Sequence, residues 1–124
     1  MSKKQKNVLG GDLELCSSNP LTGWYRDGCC NTDDNDNGLH TVCAKVNSDF
    51  LEWCKSAGND LVTPHPEFGF PGLKDGDNWC ICASWFARAV EAGKECKIYL
   101  KKTNEKTLKI IPLEILKKHA MDLS

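Results

Sequence analysis

Eight cysteines and three histidines are the residues of this sequence with the widest chemical scope. Thiolate and imidazole groups bind zinc, usually as four ligands in a tetrahedron. The strong sequence signal for such a site is a pair of C-x-x-C knuckles, which this sequence lacks. Near neighbours also diverge, because an extended chain directs Cys29 away from Cys30 and a strand directs His40 away from Cys43. A structural zinc site would therefore take one member of each pair, for example Cys30, Cys43 and Cys80, from these candidates: Cys29, Cys30, His40, Cys43, Cys80 and Cys82.

Cys80 is also the candidate for thiol chemistry, because the helix predicted at residues 77–93 places it in the first turn. Backbone N–H groups and the helix dipole at that end stabilise a thiolate. Cys82 lies about 200° further round the same helix, within its apolar stripe, so we predict that it packs in the core. The second hypothesis is thus a thiol-dependent enzyme or redox protein with Cys80 and His40 as catalytic residues and His65 as the other candidate base. A hydrogen-bonded position on an apolar strand face is the alternative for His40.

An acidic loop at residues 31–38 raises the question of calcium. Asp33, Asn35, Asn37 and Gly38 match the first half of a calcium-binding loop. The twelfth position, which should supply a bidentate carboxylate, is Ala44. The sequence argues against calcium and favours a solvated turn, so zinc is the cofactor that stays open.

The hypothesis that we favour from the sequence is a binding or interaction module whose cysteines mainly pack. Residues 59–77 form a long irregular segment, because three prolines and three glycines exclude regular structure. Long loops of this kind often carry function. Asn59 and Asp60 have an alternative role, which is to end the preceding helix and cap the loop. The candidate contacts for a protein partner or a small molecule are Asn59, Asp60, His65, Glu67 and Trp79.

The apolar periodicity predicts an α+β fold with a mainly antiparallel sheet, about three helices and one long Pro/Gly-rich loop. Residues 1–6 are predicted to be a disordered basic tail and residues 7–121 a single globular domain. Cys54 and Cys96 fall on buried faces and are assigned to packing. The predicted strands are residues 8–15, 24–26, 39–46, 96–101 and 108–111, and the predicted helices are residues 49–57, 77–93 and 112–121.

Charge and hydropathy exclude two classes of partner. The net charge is −1, and no aromatic residues are interleaved with the C-terminal lysines, which argues against nucleic acid. No apolar run approaches the roughly 20 residues of a membrane-spanning helix. The N-terminus has no apolar secretory segment, so we predict a cytoplasmic protein. In that compartment the cysteines are expected to be reduced.

Four long segments of the chain resemble the bacterial domain-of-unknown-function family 2237: NVLGGDLELCSSNPLTGWYRDGCC, GLHTVCA, GNDLVTPHPEFGFPGLKDGDNWCICA and IIPLEILKKHA. The resemblance covers residues 7–120 and implies a small single-domain protein, with no activity attached. Cys54 and Cys96 depart from the family pattern, and Asn104 stands where members often have histidine. The family-type positions are Cys16, Arg26, Asp27, Cys29, Cys30, His40, Cys43, Asn59, Asp60, Trp79, Cys80 and Cys82.

Overall fold

Three helices and a three-stranded antiparallel sheet form the fold, as seen in a computed structural model that describes residues 5–122. The strands are β1 (His40–Lys45), β2 (Asn78–Cys82) and β3 (Lys97–Ile98), in the spatial order β2-β1-β3. The helices are α1 (Ser48–Ser56), α2 (Ala83–Ala92) and α3 (Leu113–Lys118). Short 3-10 helices occupy Pro66–Phe68, Leu100–Lys102 and Glu105–Lys109. The predicted α+β class is confirmed.

The main core lies on one face of the sheet. Side chains alternate along a strand, so Val42 and Ala44 of β1 share this face with Ile81 of β2. Helices α1 and α2 cover it with the fully buried rings of Phe50 and Phe86. Cys54 and Cys96 also pack in this core, as the sequence predicts.

Residues at both ends of helix α1 set its start and its termination. The Asn47 side chain accepts a hydrogen bond from the Phe50 amide at 2.8 Å, which satisfies one of the unpaired donors of the first turn. Gly58 follows the helix with φ of +98°, a conformation that glycine adopts without strain. The helix predicted at residues 49–57 is therefore confirmed, with its ends shifted by one residue.

The helix predicted at residues 77–93 is wrong in its first part. Residues Asn78–Cys82 are strand β2, and the helix begins only at Ala83. Asp77 does not cap α2; its carboxylate accepts a hydrogen bond from the Lys74 amide in the preceding turn. The backbone groups along one edge of β1 need hydrogen-bond partners, and residues 78–82 supply them as a strand. In that strand Trp79 and Ile81 lie on the same face as Ala44 and Val42 of β1. A helical stripe and a buried strand both explain the same apolar residues, and the sheet decides between them.

The predicted N-terminal strands and the C-terminal hairpin are also wrong. Residues 8–15 and 24–26 form turns and isolated bridges, and residues 99–111 are mainly 3-10 helix. The reason at the C-terminus is that the outer edge of β3 is already occupied. Ile98 donates to the carbonyl of His119 and accepts from the Met121 amide, so no hairpin partner is needed there.

The predicted disordered tail, residues 1–6, falls only partly within the described residues. Residues 1–4 lie outside the described residues, but Gln5 and Lys6 are held in place. The Gln5 amide exchanges two hydrogen bonds with the backbone of Thr32, and the Lys6 carbonyl accepts from the Glu105 amide. Within residues 5–122, none of the helices has both the length and the apolar composition to span a bilayer.

Asn104 connects three separate segments, which predicts a large loss of stability when it is truncated. Its buried amide donates to the Cys30 carbonyl at 3.1 Å and to Gln5, and its carbonyl oxygen accepts from the Lys106 amide at 2.9 Å. Asn104→Ala leaves buried groups without partners, so we expect the free energy of unfolding to fall by about 2–3 kcal/mol. Urea unfolding followed by circular dichroism measures this, with the exposed Asn35→Ala as the control. A loss no larger than the control's would contradict this role.

Candidate functional site

Four cysteines form a second, smaller buried cluster on the sheet face opposite the main core. Cys43 of β1 and Cys80 of β2 are direct partners across the strand ladder. The Cys43 backbone bonds outward, to the Thr103 hydroxyl and the Tyr99 amide, and the Cys80 amide donates to the Thr22 hydroxyl. Cys43 and Cys80 are therefore a non-hydrogen-bonded pair, the type in which cross-strand side chains approach most closely.

The irregular N-terminal segment supplies the other two members of this cluster. Cys16 forms a disulfide with Cys43, and Cys30 forms a disulfide with Cys80. The expectation that all cysteines are reduced is therefore wrong for these four. Disulfides persist in oxidising environments, so the cytoplasmic location stays a prediction.

A cleft of about 560 Å³ opens beside this cluster. This volume lies within the usual range for small-molecule pockets, about 300–1,000 Å³. The first wall consists of Gly23, Trp24 and Arg26 of the N-terminal segment with His40 at the start of β1. The second wall comes from the long loop after α1, and Trp79 and Cys80 of β2 lie between the two walls. The lining residues are Gly23, Trp24, Arg26, His40, Asp60, Leu61, His65, Phe68, Phe70, Trp79 and Cys80.

A buried carboxylate fixes the histidine of the first wall. Asp36 is 1% exposed at its side chain, and its Oδ1 lies 2.6 Å from His40 Nδ1. Its Oδ2 accepts hydrogen bonds from the His40 amide and the Thr32 hydroxyl. This arrangement favours the tautomer with the proton on Nδ1, leaving Nε2 as the second ring nitrogen. Trp24 stacks on the His40 ring, with 5.8 Å between the ring centroids.

Arg26 is the only arginine among the described residues that line the cleft. Its Cζ atom lies 5.1 Å from the centroid of the Trp79 ring, within cation–π range. Its φ of +55° is left-handed, which is unusual for a residue other than glycine. Hydrogen bonds from its amide and its Nη1 to the Gly23 carbonyl hold this turn. Gly23 itself leaves no room for a side chain, because a Cβ would collide with the Cys29 carbonyl.

The second wall is a set of aromatic contacts. His65 stacks on Phe70, with 6.2 Å between the centroids, and Phe70 meets the Trp79 ring edge-on at 5.3 Å. Phe68 packs against His65 but leaves 76% of its surface exposed. Exposed aromatic rings together with the imidazole of His65 form a surface on which planar groups can stack.

Asp60 holds the start of this wall. Its carboxylate accepts hydrogen bonds from the Thr63 hydroxyl and from the amides of Val62 and Thr63. These bonds, the Thr63 hydroxyl first, lower the pKa of Asp60 to about 2. The backbone N–H of Asn59 donates a hydrogen bond to the Cys54 carbonyl at the end of α1. Asn59 and Asp60 thus have the loop-closing role that the sequence left as the alternative, although Asp60 also lines the cleft.

Five of the residues proposed from the sequence line the cleft together: His40, Asp60, His65, Trp79 and Cys80. Asn59 and Glu67 are not among its lining residues, and the Glu67 carboxylate lies 3.8 Å from His65 Nδ1. His40 does not share the buried face of β1, because the strand register shifts between His40 and Val42.

The cysteine assignments on β2 are reversed. Cys80, predicted to be an accessible thiol in a helix, is a buried strand residue in a disulfide, so the predicted thiolate is wrong for this state. Cys82, predicted to be core, is partly exposed and donates its thiol to the Gly38 carbonyl at 2.8 Å.

The proposed metal ligands divide in the same way. Cys30, Cys43 and Cys80 meet in the cluster together with Cys16, a family-type position outside the named set of candidate ligands. Cys29, His40 and Cys82 are not part of that cluster.

The site prediction missed three aromatic lining residues, Trp24, Phe68 and Phe70, as well as Gly23, Arg26 and Leu61. The available sequence signal is that Phe68 and Phe70 are aromatic residues in a Pro/Gly-rich segment, where no predicted strand or helix would bury them. Arg26 appeared only as a position shared with a family.

The comparison with protein families decides the classification of the chain. The model of the family described as "Uncharacterized protein conserved in bacteria (DUF2237)" matches residues 6–120. The chain belongs to this family. A comparison with curated proteins found no significant match. Family membership therefore assigns no activity, and the function of this DUF2237 protein has to be argued from its own geometry.

Cys82 and Cys96, neither of which belongs to the two disulfides, should differ widely in reactivity. Burial raises the pKa of the Cys96 thiol to about 12, and the nearby Cys54 thiol adds to this effect. Cys82 is partly exposed on the surface. We expect iodoacetamide at pH 8 to label Cys82 at least about tenfold faster than Cys96 in the folded protein, because the thiolate is the nucleophile. Peptide mass spectrometry measures both rates, with urea-unfolded protein as the control; equal rates in the folded protein would refute the assignment.

The lowered pKa of Asp60 predicts an acid-dependent contribution to stability. Its folded value of about 2 lies below the ordinary 3.8, so the contribution is present above about pH 4 and is lost as the pH falls through about 2. We expect Asp60→Asn to be less stable than the wild type at pH 6, and this difference to shrink as the pH falls from about 4 to 2. Urea unfolding at a series of pH values measures it, and Asp34→Asn is the exposed control. A difference that does not change with pH would count against this account.

Proposed function

We propose that this protein is a binding module that holds a small planar aromatic anion, such as an aromatic carboxylate, in the cleft described above. The observation that carries this proposal is the position of Arg26. Its guanidinium lies on the Trp79 ring at the aromatic cleft, and no carboxylate within residues 5–122 forms an ion pair with it.

The donors of Arg26 are only partly used. Nη1 donates to the Gly23 carbonyl at 2.8 Å, which fixes the plane of the guanidinium and leaves further N–H groups for a ligand. Arginine pairs with carboxylate and phosphate groups through two parallel hydrogen bonds. Because the backbone of Arg26 is held in a left-handed conformation, the side chain is positioned before a ligand arrives, which lowers the entropy cost of binding.

The aromatic walls account for a planar ligand body. Trp24 and His40 stack in one wall, and His65 and Phe70 stack in the other. Stacking of a planar group on such rings contributes about 0.5–1.5 kcal/mol for each ring pair beyond the buried area. The Trp79 ring contacts both Arg26 and Phe70, so it links the charged and the apolar parts of the cleft.

The composition of the lining supports binding rather than nucleophilic catalysis. Among the described residues that line the cleft there is no serine, threonine, lysine or tyrosine, and Cys80 is held in a disulfide. The carboxylate of Asp60 already accepts three hydrogen bonds within its own loop. His40 and His65 are the remaining lining groups with proton-transfer chemistry.

The test uses a matched pair of probes, naphthalene carboxylate and its neutral carboxamide, and a matched pair of variants. Arg26 and Arg88 each lie over a tryptophan, but Arg88 contacts Trp85 and is not part of the cleft. We expect Arg26→Gln to weaken carboxylate binding at least about tenfold, since a hydrogen bond to a charged group contributes about 1.5–3 kcal/mol. Carboxamide binding should change little, and Arg88→Gln should affect neither probe.

Binding constants come from calorimetry, and chemical-shift changes of labelled amides locate the probe. The proposal requires shifts at residues of both walls and preference for the carboxylate. It fails if neither probe binds, if the shifts lie elsewhere, or if Arg26→Gln and Arg88→Gln have equal effects.

A further inference from the structure

Three of the four sulfurs of the cysteine cluster lie at the spacing of a metal-ligand set, and the fourth is bonded to one of them. The Sγ atoms of Cys16, Cys30 and Cys80 are all within 4.8 Å of one another, and Cys43 is bonded to Cys16. All four side chains are buried, between 0 and 3% exposed. Tetrahedral zinc with Zn–S bonds of about 2.3 Å places its four sulfurs about 3.8 Å apart. The Cys16 sulfur therefore needs to move by only about an ångström relative to those of Cys30 and Cys80, while each bonded pair separates once its disulfide is reduced.

The framework around these sulfurs does not depend on the disulfides alone. The backbone of each cysteine is hydrogen-bonded to a side chain from another part of the chain, through bonds that contain no sulfur. Reduction of the disulfides removes none of the atoms that form these hydrogen bonds, so the bonds can continue to position the four cysteines. The partners are Asn78 for Cys16, Asn104 for Cys30, Thr103 for Cys43 and Thr22 for Cys80.

We propose that the reduced protein binds one soft divalent metal ion, with zinc preferred, through Cys16, Cys30, Cys43 and Cys80. The two disulfides and the tetrathiolate site are alternative states of the same four sulfurs. Sulfur ligands in tetrahedral geometry select zinc over magnesium or calcium. The metal proposal does not rest on ligand binding by Arg26, and it can be tested without any ligand in the cleft, although Cys80 also lines that cleft.

The conversion balances with an external dithiol or phosphine as the reductant. Each disulfide accepts two electrons and two protons, so the pair accepts four electrons and four protons and yields four thiols, while two equivalents of reductant are oxidised. One zinc ion then displaces the four thiol protons to solvent and binds four thiolates. Cys80 lines the cleft, which gives a small reductant a route to the Cys30–Cys80 disulfide.

The experiment uses the full chain and cobalt(II) as a spectroscopic probe, followed by zinc. Protein reduced with a phosphine under anaerobic conditions is titrated with cobalt(II). We expect one equivalent to produce the intense visible d–d bands and the near-ultraviolet thiolate charge-transfer bands of a tetrahedral tetrathiolate site. Zinc should displace the cobalt, and the same titration of the oxidised protein should give no bands.

Serine variants identify the ligands. Cys16→Ser and Cys43→Ser should each weaken zinc binding by about 100-fold or more, because each removes one of four ligands. Cys54→Ser is the matched control: Cys54 is equally buried but lies in the main core, where it accepts a hydrogen bond from the Trp85 indole. It should bind zinc like the wild type.

If the protein unfolds when it is reduced, the absence of cobalt bands still counts against the proposal. Metal binding to four thiolates provides folding free energy, so cobalt should restore the structure and the bands together. The proposal is overturned if the reduced wild type gives no tetrathiolate bands, whether folded or unfolded. It is also overturned if Cys54→Ser weakens zinc binding as much as Cys16→Ser does.

Discussion

Covalent attachment of the N-terminal segment to the sheet is the constraint on which the rest of this structure depends. Residues 16–37 form only turns, bends and isolated bridges, so their backbone has little regular pairing of its own. The two disulfides close loops of 27 and 50 residues, and in the chain-entropy account each contributes about 3–4 kcal/mol. Their sulfurs also fill the space under the segment, where Cys30 and Cys43 are fully buried. Four cysteines therefore serve both as cross-links and as the apolar core of this half of the molecule.

The cleft follows from this attachment. Cys80 fixes the first wall to β2 through Cys30, while the neighbouring residue Trp79 points toward the other face and packs with Phe70 of the second wall. A single strand thus joins the two walls through consecutive residues, because side chains of a strand alternate between faces. The buried Asp36 completes the first wall by orienting His40. Aromatic area and a pre-positioned guanidinium are features that suit recognition, and the cysteines beneath them suit metal binding only in a different redox state.

Local signals explain which elements of the fold could be predicted. Helix α1 has its own cap in Asn47, and the alternation in β1 places Val42 and Ala44 on one side, so both elements were predictable from neighbouring residues. The segment Asn78–Cys82 was not, because Trp79 fits helical spacing with Ala83 and fits strand alternation with Ile81 equally well. Its conformation depends on pairing with β1, which is more than 30 residues away in the sequence. The short β3 has the same origin, since the C-terminal segment that covers its edge is distant in sequence.

The sequence by itself determined the α+β class, the family, helix α1 and the burial of Cys54 and Cys96, because each of these depends on residue type and local periodicity. It also pointed to His40, Asp60, His65, Trp79 and Cys80, which do line one cleft. Only the tertiary structure decided how the sulfurs pair, that Cys80 is buried while Cys82 is partly exposed, and that Arg26 lies on Trp79. The physical reason is that sulfur pairing, strand register and ring contacts are properties of residues brought together across many intervening positions. The spacing of these residues along the chain does not determine the distances between them in the folded protein.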